Sequence, residues 1–155
     1  MLSKRMPMKK LIYADAKKLI DSICFAARAG EYETRAAFFE MVAENPDLAV
    51  QGYNVFGKIF YWNTSSAHLY GYSESAAVNK DLFDLILPQE LRGFARDMIS
   101  TAYKTGRTPD ASACDLIQRN GEYITVFSGH LMFQWDHATS PEFYCIDVGI
   151  EPQPA

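Results

Sequence analysis

Residues 57–73, with the sequence GKIFYWNTSSAHLYGYS, constrain the fold of this chain more than any other segment. Residues 59–62 form a short β-branched and aromatic run that is typical of a strand. Asn63 follows it directly, and its side-chain oxygen can cap the first turn of a helix. Gly71 then ends that helix, because glycine readily adopts the left-handed conformation found at helix C-termini. The segment therefore predicts a strand that leads straight into a short capped helix.

The remaining residues carry helical and strand patterns on both sides of this segment. Apolar periodicity, caps and turn residues predict helices at residues 9–29, 34–44, 64–70, 74–79, 82–86 and 88–105. They predict strands at residues 48–53, 58–63, 111–118, 122–135 and 143–150, with Asn120-Gly121 as a hairpin turn. This order predicts an α+β fold, a five-stranded antiparallel sheet with helices on one face.

The longest predicted strand, residues 122–135, is largely apolar on both faces. By alternation, Phe127, Leu131 and Phe133 point one way, whereas Val126 and His130 point the other way. A sheet with one face in water would alternate apolar with polar side chains, so a second layer must cover the other face. We assign the Phe127 side to the interior and expect the amphipathic helix at residues 9–29, from this chain or from a partner, to cover the His130 side.

That N-terminal helix carries an apolar stripe at helical spacing, formed by Ile12, Leu19, Ile20 and Ile23. An isolated helix of this length is only marginally stable in water without a packing partner. The stripe therefore predicts a homodimer that forms through this helix.

The composition excludes several classes of protein. The net charge is −4, and no basic patch with interleaved aromatic residues indicates nucleic-acid binding. No apolar run approaches the roughly 20 residues that a membrane span needs. The 3 cysteines are widely spaced, and no export signal precedes them, which indicates reduced thiols in a cytoplasmic protein. No grouping of residues suggests a metal site.

Five motifs in sequence order resemble the PAS sensory domain. The first is the aromatic-Asn pair Trp62-Asn63 with the later Gly-Tyr-Ser at residues 71–73, and the second is the helix and turn at 38–47. The others are the segment that leads into the long connector helix at 82–88, the exit of that helix at 104–106, and a turn between two strands at 119–122. The resemblance implies a sensory domain at residues 35–151, preceded by a helical extension at 1–34 and followed by a tail at 152–155. In one departure, Asp147-Val148-Gly149 lacks the threonine of the Asp-x-Thr ending that often links the domain to an output helix.

The resemblance also implies an interior that is either packed or occupied by a ligand. Apolar walls with a few polar groups are the usual profile of a small-molecule site. The residues that we expect to bind a ligand or cofactor there are Tyr61, Asn63, Tyr70, Phe94, Met98, Phe127, Leu131 and Phe133. Asn63 has a second interpretation, which is the structural role of a helix cap.

The sequence does not identify a cofactor. Haem needs an axial imidazole in an apolar pocket, and the connector helix at residues 88–105 contains no histidine. His68 is the best remaining candidate for a haem ligand, and the sequence argues against haem. Covalent flavin photochemistry is not indicated either, because residues 63–65 contain no cysteine. A flavin bound without a covalent link stays among the candidate cofactors.

We therefore predict a cytoplasmic PAS sensory module that binds a small molecule or cofactor and relays the signal to a partner protein or output domain. The alternative is a ligand-free PAS module for dimerisation or protein interaction, and a third interpretation is a small enzyme of the same general shape. No common catalytic motif is present in the sequence, which argues against the enzyme.

Overall fold

The computed structural model describes residues 9–135 and 140–152, and they form the predicted α+β fold. The helices are α1 (Tyr13–Arg28), α2 (Arg35–Glu44), α3 (Thr64–Tyr70), α4 (Glu74–Ala77), α5 (Leu82–Ile86) and α6 (Gln89–Thr105). The strands are β1 (Ala49–Tyr53), β2 (Ile59–Trp62), β3 (Ser112–Ile117), β4 (Tyr123–Phe133) and β5 (Glu142–Gly149). Each helix and strand lies within a few residues of its predicted range. The parts of the predicted extension, turn and tail at residues 1–8, 136–139 and 153–155 lie outside the described residues.

Side-chain caps determine where the short helices begin. The Asn63 carboxamide oxygen accepts a hydrogen bond from the Ser66 backbone N–H at 2.9 Å, as predicted for the start of α3. Ser73 caps α4, and Asp81 caps α5 by accepting from the backbone N–H groups of Phe83 and Asp84. Such caps satisfy backbone donors that a short helix would leave without partners.

The five strands form one antiparallel sheet in the order β2-β1-β5-β4-β3. The central strand β5 therefore pairs with β1 on one side and β4 on the other. Cys145 lies between Gln51 and His130 in the register, and Asp147 lies opposite Ser128. Since side chains two residues apart on a strand share a face, these polar residues form one group on the sheet.

The two faces of the sheet carry separate hydrophobic clusters. One cluster lies beneath α3 to α6 and includes Tyr53, Trp62, Tyr70, Val126 and Phe143. The other lies beneath α1 and α2, so both helices come from the same chain as the sheet. We call these surfaces the inner face and the outer face.

The structure reverses the predicted assignment of the two faces of β4. Phe127 and Leu131 are buried in the outer-face cluster, and Phe133 packs against the same cluster. Val126 lies in the inner-face cluster. Alternation separated the two sets of side chains correctly, but it contains no information about which set meets which layer of helices.

Gly129 allows α1 to lie close to the outer face. A Cβ atom at this position would lie 2.7 Å from the Ile20 Cγ2 atom and 3.0 Å from the Cys24 Sγ atom. Contacts below about 3 Å are not tolerated without displacement, so a side chain here would push the helix away. The close approach buries Ile20 completely and leaves Ile23 only 4% exposed.

This packing changes the interpretation of the predicted dimerisation stripe. Ile20 and Ile23 are buried against the sheet of their own chain, and Leu19 is partly buried beside the same cluster. Ile12 is the exposed member, at 53%. The stripe is therefore not a free surface for a partner, and its apolar pattern is explained by contacts within the chain.

The beginning of α1 is fixed to the end of β5. The Leu11 backbone N–H donates to the Gly149 carbonyl oxygen at 3.0 Å, and the Glu151 N–H donates to the Leu11 carbonyl oxygen at 2.9 Å. Within the described ranges, no helix is long and apolar enough to cross a membrane.

Candidate ligand-binding site

A cavity of about 300 Å³ lies between the inner face of the sheet and the helices α5 and α6. The helices supply an apolar wall that includes Phe83, Ile86, Leu91, Phe94 and Met98. Phe94 is 68% exposed and lies at the mouth of the cavity. A concave apolar space of this size is typical of small-molecule sites.

The strands supply a different wall, which carries most of the polar side chains that line the cavity. Its members from β1, β4 and β5 are Gln51, Ser128, His130, Cys145 and Asp147, and β3 adds Ser112 and Cys114 nearer the edge of the sheet. They come together because of the antiparallel register, which aligns Gln51, Cys145 and His130 in one row and Asp147 and Ser128 in the next.

Asp147 is the most deeply buried ionisable group of this wall, with 1% of its surface exposed. The Tyr70 hydroxyl donates a hydrogen bond of 2.6 Å to its Oδ2 atom. No hydrogen bond of normal geometry from a described residue ends on the Oδ1 atom. Burial raises the pKa of this carboxyl to about 6, although Ser128, Tyr70 and Gln51 favour its charged form and act in the opposite direction.

Gln51 presents a second buried acceptor. Its Nε2 group donates to the Ser66 hydroxyl at 2.9 Å, and that hydroxyl lies 2.9 Å from the Asn63 carboxamide oxygen. The Gln51 Oε1 atom has no partner among residues 9–135 and 140–152, although the side chain is fully buried. Buried polar atoms without partners are uncommon in folded proteins, and each one calls for an explanation.

His130 and Cys145 complete the wall as neutral groups. The Cys145 Sγ atom lies 3.6 Å from the His130 Nδ1 atom and 3.6 Å from the Tyr53 hydroxyl oxygen. Burial lowers the pKa of His130 to about 4, so the imidazole is neutral near pH 7 and can donate or accept. Burial also raises the pKa of the Cys145 thiol, which makes a reactive thiolate unfavourable.

The structure brings together only part of the predicted site. Phe94 and Met98 line the cavity, and Tyr70 reaches it through its hydrogen bond with Asp147. Asn63 acts as a cap, and its Nδ2 group also donates to the Leu48 carbonyl oxygen at 2.9 Å.

Several predicted residues lie away from the cavity. Tyr61 packs on the outer face, where its ring centroid lies 4.8 Å from that of Phe39. Phe127, Leu131 and Phe133 are on that face as well. His68 is exposed on α3 and does not line the cavity, so the cavity does not use it as a haem ligand.

Sequence reasoning missed the polar wall itself. Gln51, Ser128, His130 and Asp147 are separated by up to about a hundred residues, so no local motif marks them. One signal was available, because polar residues at alternating positions of three neighbouring strands share a face. That signal depends on the strand order, which places β5 between β1 and β4.

The five-stranded sheet, the helical block that follows β2 and the cavity beneath that block define the class of protein as a PAS-type module. The PAS fold family model matches residues 38–126, which is more than half of the chain. The chain therefore belongs to the PAS family, as the resemblance indicated. No curated protein sequence matches the chain.

Solved structures share this fold at low sequence identity. The PAS domain of a protein from Colwellia psychrerythraea aligns with a TM-score of 0.58 and 20% identity, over 73% of this chain and 97% of that chain. The PAS domain of the Cronobacter turicensis RpfR quorum-sensing receptor, in complex with C12:0, gives a TM-score of 0.53 and 14% identity, over 67% and 94% of the two chains. PAS-B of Drosophila melanogaster Cycle, with bound ethylene glycol, aligns with a TM-score of 0.53 and 8% identity, over 66% of this chain and 99% of that chain.

Proposed function

We propose that this chain is a cytoplasmic, non-catalytic sensory module whose cavity binds a small molecule and whose output lies in a partner protein or another domain. The observation that carries this proposal is the cavity with its two buried and unpartnered acceptors, Asp147 Oδ1 and Gln51 Oε1. A ligand with suitable donors would satisfy both atoms. The RpfR domain that shares this fold is in complex with C12:0, which supports a ligand-binding role for a domain of this shape.

The energetics of the polar wall favour a binding role over a purely structural one. A buried polar atom without a hydrogen bond costs roughly 1–3 kcal/mol. Replacing such groups with apolar residues of similar shape would remove that cost without loss of packing. The chain instead keeps two such atoms at the end of an apolar cavity, and ligand binding supplies a reason for this arrangement.

The same strands offer a route for the signal. Ser128 and His130 line the cavity from the inner face, and Gly129 lies between them in the sequence. On the outer side of Gly129, a Cβ atom would lie 2.7 Å from Ile20 and 3.0 Å from Cys24 of α1, so the helix and the strand pack with no room for a side chain here. A ligand that favours one arrangement of β4 would therefore shift α1, provided that it binds the two arrangements with different affinities.

Native mass spectrometry and an absorption spectrum of freshly purified protein test the proposal. A retained small molecule, or an absorption band of haem or flavin, would support a sensory module with a bound ligand or cofactor. A ligand-free mass, together with unchanged amide chemical shifts across a panel of small apolar compounds, would contradict it. That result would favour the alternative, a ligand-free module for protein interaction.

The homodimer stays a prediction, and the structure changes how it must be tested. Ile23→Glu would place a charge in the core of the same chain, so it would unfold the protein rather than separate two copies. Ile12→Glu is the informative change, because Ile12 is 53% exposed. Light scattering that shows a dimer for both wild type and Ile12→Glu would contradict a dimer interface that includes Ile12. The predicted domain limits at residues 35 and 151 likewise stay a prediction.

A further inference from the structure

The chemistry of the cavity changes from one end to the other. The helical side is formed by apolar residues such as Ile86, Leu91 and Met98. The strand side includes a buried carboxylate and a buried carboxamide, and each has one oxygen with almost no accessible surface and no hydrogen-bond partner among the described residues. Such a site fits a ligand with an apolar body and one polar head group, and the acceptors in the wall determine what that head group can be.

The unpartnered atoms at the polar end are both hydrogen-bond acceptors. Asp147 presents Oδ1 and Gln51 presents Oε1, whereas the nearby Ser128 hydroxyl and neutral His130 can act as either donor or acceptor. No lysine or arginine of the described chain lines the cavity. The wall therefore lacks the cation that would receive an anionic head group, and it holds an acid in that place.

We propose that the cavity binds a molecule with an apolar body and a primary ammonium head group, and that the head group is held by Asp147 and Gln51. This inference rests on the proposed function and specifies its ligand class. An ammonium group has three donors and a positive charge, so one head group can bond both free oxygens and pair with the carboxylate. A hydroxyl group has one donor and cannot do both, and a carboxylate would repel Asp147.

The two side chains are neighbours on the inner face of the sheet. Gln51 and Asp147 lie on the adjacent strands β1 and β5, and Gln51 pairs with Cys145, two residues before Asp147. Diagonal neighbours of this kind have Cα atoms about 7–8 Å apart, with their side chains on one face. Tyr70 donates to the Oδ2 atom of Asp147 from the α3 side, and no hydrogen bond of normal geometry from a described residue ends on Oδ1.

The test compares three probes that differ only in the head group: octylamine, octanol and octanoate. Calorimetric titration at about pH 7.5, where Asp147 is mainly charged, should show octylamine binding at least about tenfold more tightly than octanol, because hydrogen bonds to a charged group are stronger than neutral ones. Octanoate should bind most weakly of the three. Equal or tighter binding of octanol or octanoate would overturn the assignment of the head group.

Asp147→Asn and Asp110→Asn form a matched pair for this test. Both remove one carboxylate that lines the cavity, but Asp110 is fully exposed at its mouth, whereas Asp147 is buried in the polar wall. Asp147→Asn should abolish the preference for octylamine, and Asp110→Asn should keep it. The carboxamide oxygen that Asp147→Asn introduces could still accept from Tyr70, so the fold is expected to survive. An unchanged preference in Asp147→Asn would overturn the proposal.

A measurement on the unmodified protein does not depend on any variant. Octylamine affinity should fall when the pH is lowered from about 7.5 to about 5, because Asp147 then gains a proton, while octanol affinity should stay the same. The titratable groups that surround Asp147 are Tyr70 from α3, Tyr53 from β1, Cys114 from β3, His130 from β4 and Cys145 on its own strand. The pKa of His130 is lowered and those of the others are raised, so none of them is expected to change charge over this range.

The outcomes separate the two levels of the proposal. If none of the three probes binds, both the proposed function and the ligand class are wrong. If octanol or octanoate binds as well as octylamine, the cavity is a ligand site but the ammonium assignment is wrong. Octylamine affinity that does not change between about pH 7.5 and about pH 5 would also contradict the role of Asp147.

Discussion

The two faces of the sheet are built from the same strands but are filled in different ways. On the outer face, rings from α2, β4, β5 and the segment after β4 pack closely, and the Phe133 and Trp135 centroids lie 4.3 Å apart in a stacked arrangement. On the inner face, the helices α5 and α6 stand away from the strands and leave the cavity. The outer face carries a dense cluster of aromatic rings, whereas the inner face keeps buried acceptors that have no partner among the described residues.

This difference assigns separate roles to the two faces. Dense packing of apolar groups is the main source of stability in folded proteins. Cavities and unsatisfied polar groups reduce stability and are retained at sites that bind or react. Both faces carry a buried hydrophobic cluster, but only the inner one includes the cavity to which we assign the proposed ligand, so we expect side chains at the cavity to contribute less to stability than those beneath α1. Each of the following substitutions tests this division.

The largest contrast is expected between Ile20→Ala and Met98→Ala. Ile20 is fully buried beneath α1, so its truncation should lower the free energy of unfolding by roughly 2–5 kcal/mol. Met98 is only partly buried and already lines a cavity, so its truncation should lower this free energy by less than about 1 kcal/mol, since little packing is lost. Urea denaturation of both variants measures the difference. Equal losses would contradict the division between the faces.

Gly129→Ala should show how tightly α1 is fitted to the outer face. The added methyl group would lie 2.7 Å from Ile20 Cγ2, so we expect a loss of roughly 1–3 kcal/mol in the free energy of unfolding. Gly149→Ala is the control, because its nearest neighbours would lie at the ordinary contact distance of 3.5 Å. Thermal unfolding compares the two variants. If Gly129→Ala is no less stable than Gly149→Ala, the close fit of the helix is not a determinant of stability.

Asp147→Asn should stabilise the ligand-free protein near neutral pH. The pKa of Asp147 in the folded chain, about 6, is above its ordinary value of 3.8, so folding favours the protonated form. Wild-type stability relative to the variant should therefore fall as the pH rises from about 4 to about 6, by an amount on the order of 1–2 kcal/mol.

Burial lowers the pKa of His130 to about 4, so its contribution makes the folded protein more stable as the pH rises from about 4 to about 6. This contribution is present in both the wild type and the variant. It therefore cancels when the two pH profiles are subtracted, and the difference reports Asp147 alone. Unfolding curves at several pH values supply these profiles. A stability difference that does not depend on pH would contradict a raised pKa for Asp147.

The smallest effect concerns the route of the signal. Octylamine should change amide hydrogen exchange in α1 more than in residues 151–152, because α1 contacts Gly129 behind the cavity wall. Hydrogen-exchange mass spectrometry with and without the probe measures this change. Equal protection of α1 in both states would exclude this helix as the route and leave the output without an identified path.

The sequence predicted the elements well, because their signals are local. Asn63 stands directly after an aromatic strand and was predicted to cap the helix that follows, and the structure confirms this. Asn120-Gly121 likewise marked the turn between β3 and β4. The resemblance then indicated how these elements are arranged, and the family match confirms it.

The candidate site was predicted only in part, because its polar wall depends on distant pairings. Phe94 and Met98 were among the residues expected to bind a ligand in the interior that the resemblance implies, and both line the cavity. Asp147 was noticed only as a departure from the family ending, and His130 was assigned to the outer face. Their meeting on the inner face requires the pairing of β4 with β5 and of β5 with β1.

The sequence by itself therefore determined the order of the elements, their limits to within a few residues, and the division of β4 into two sets of side chains. Only the tertiary structure decided which set faces the cavity. The physical reason is that side chains alternate between the two faces of a strand, and when both faces are apolar the sequence does not indicate which face meets which layer of helices. The face of β4 that lies against α1 is marked by the packing of Ile20 on Gly129, two residues that are far apart in sequence. The pairing of β5 with β1 and with β4 likewise joins residues that are distant in sequence, and it places Asp147 and Gln51 together on the inner face beside the cavity.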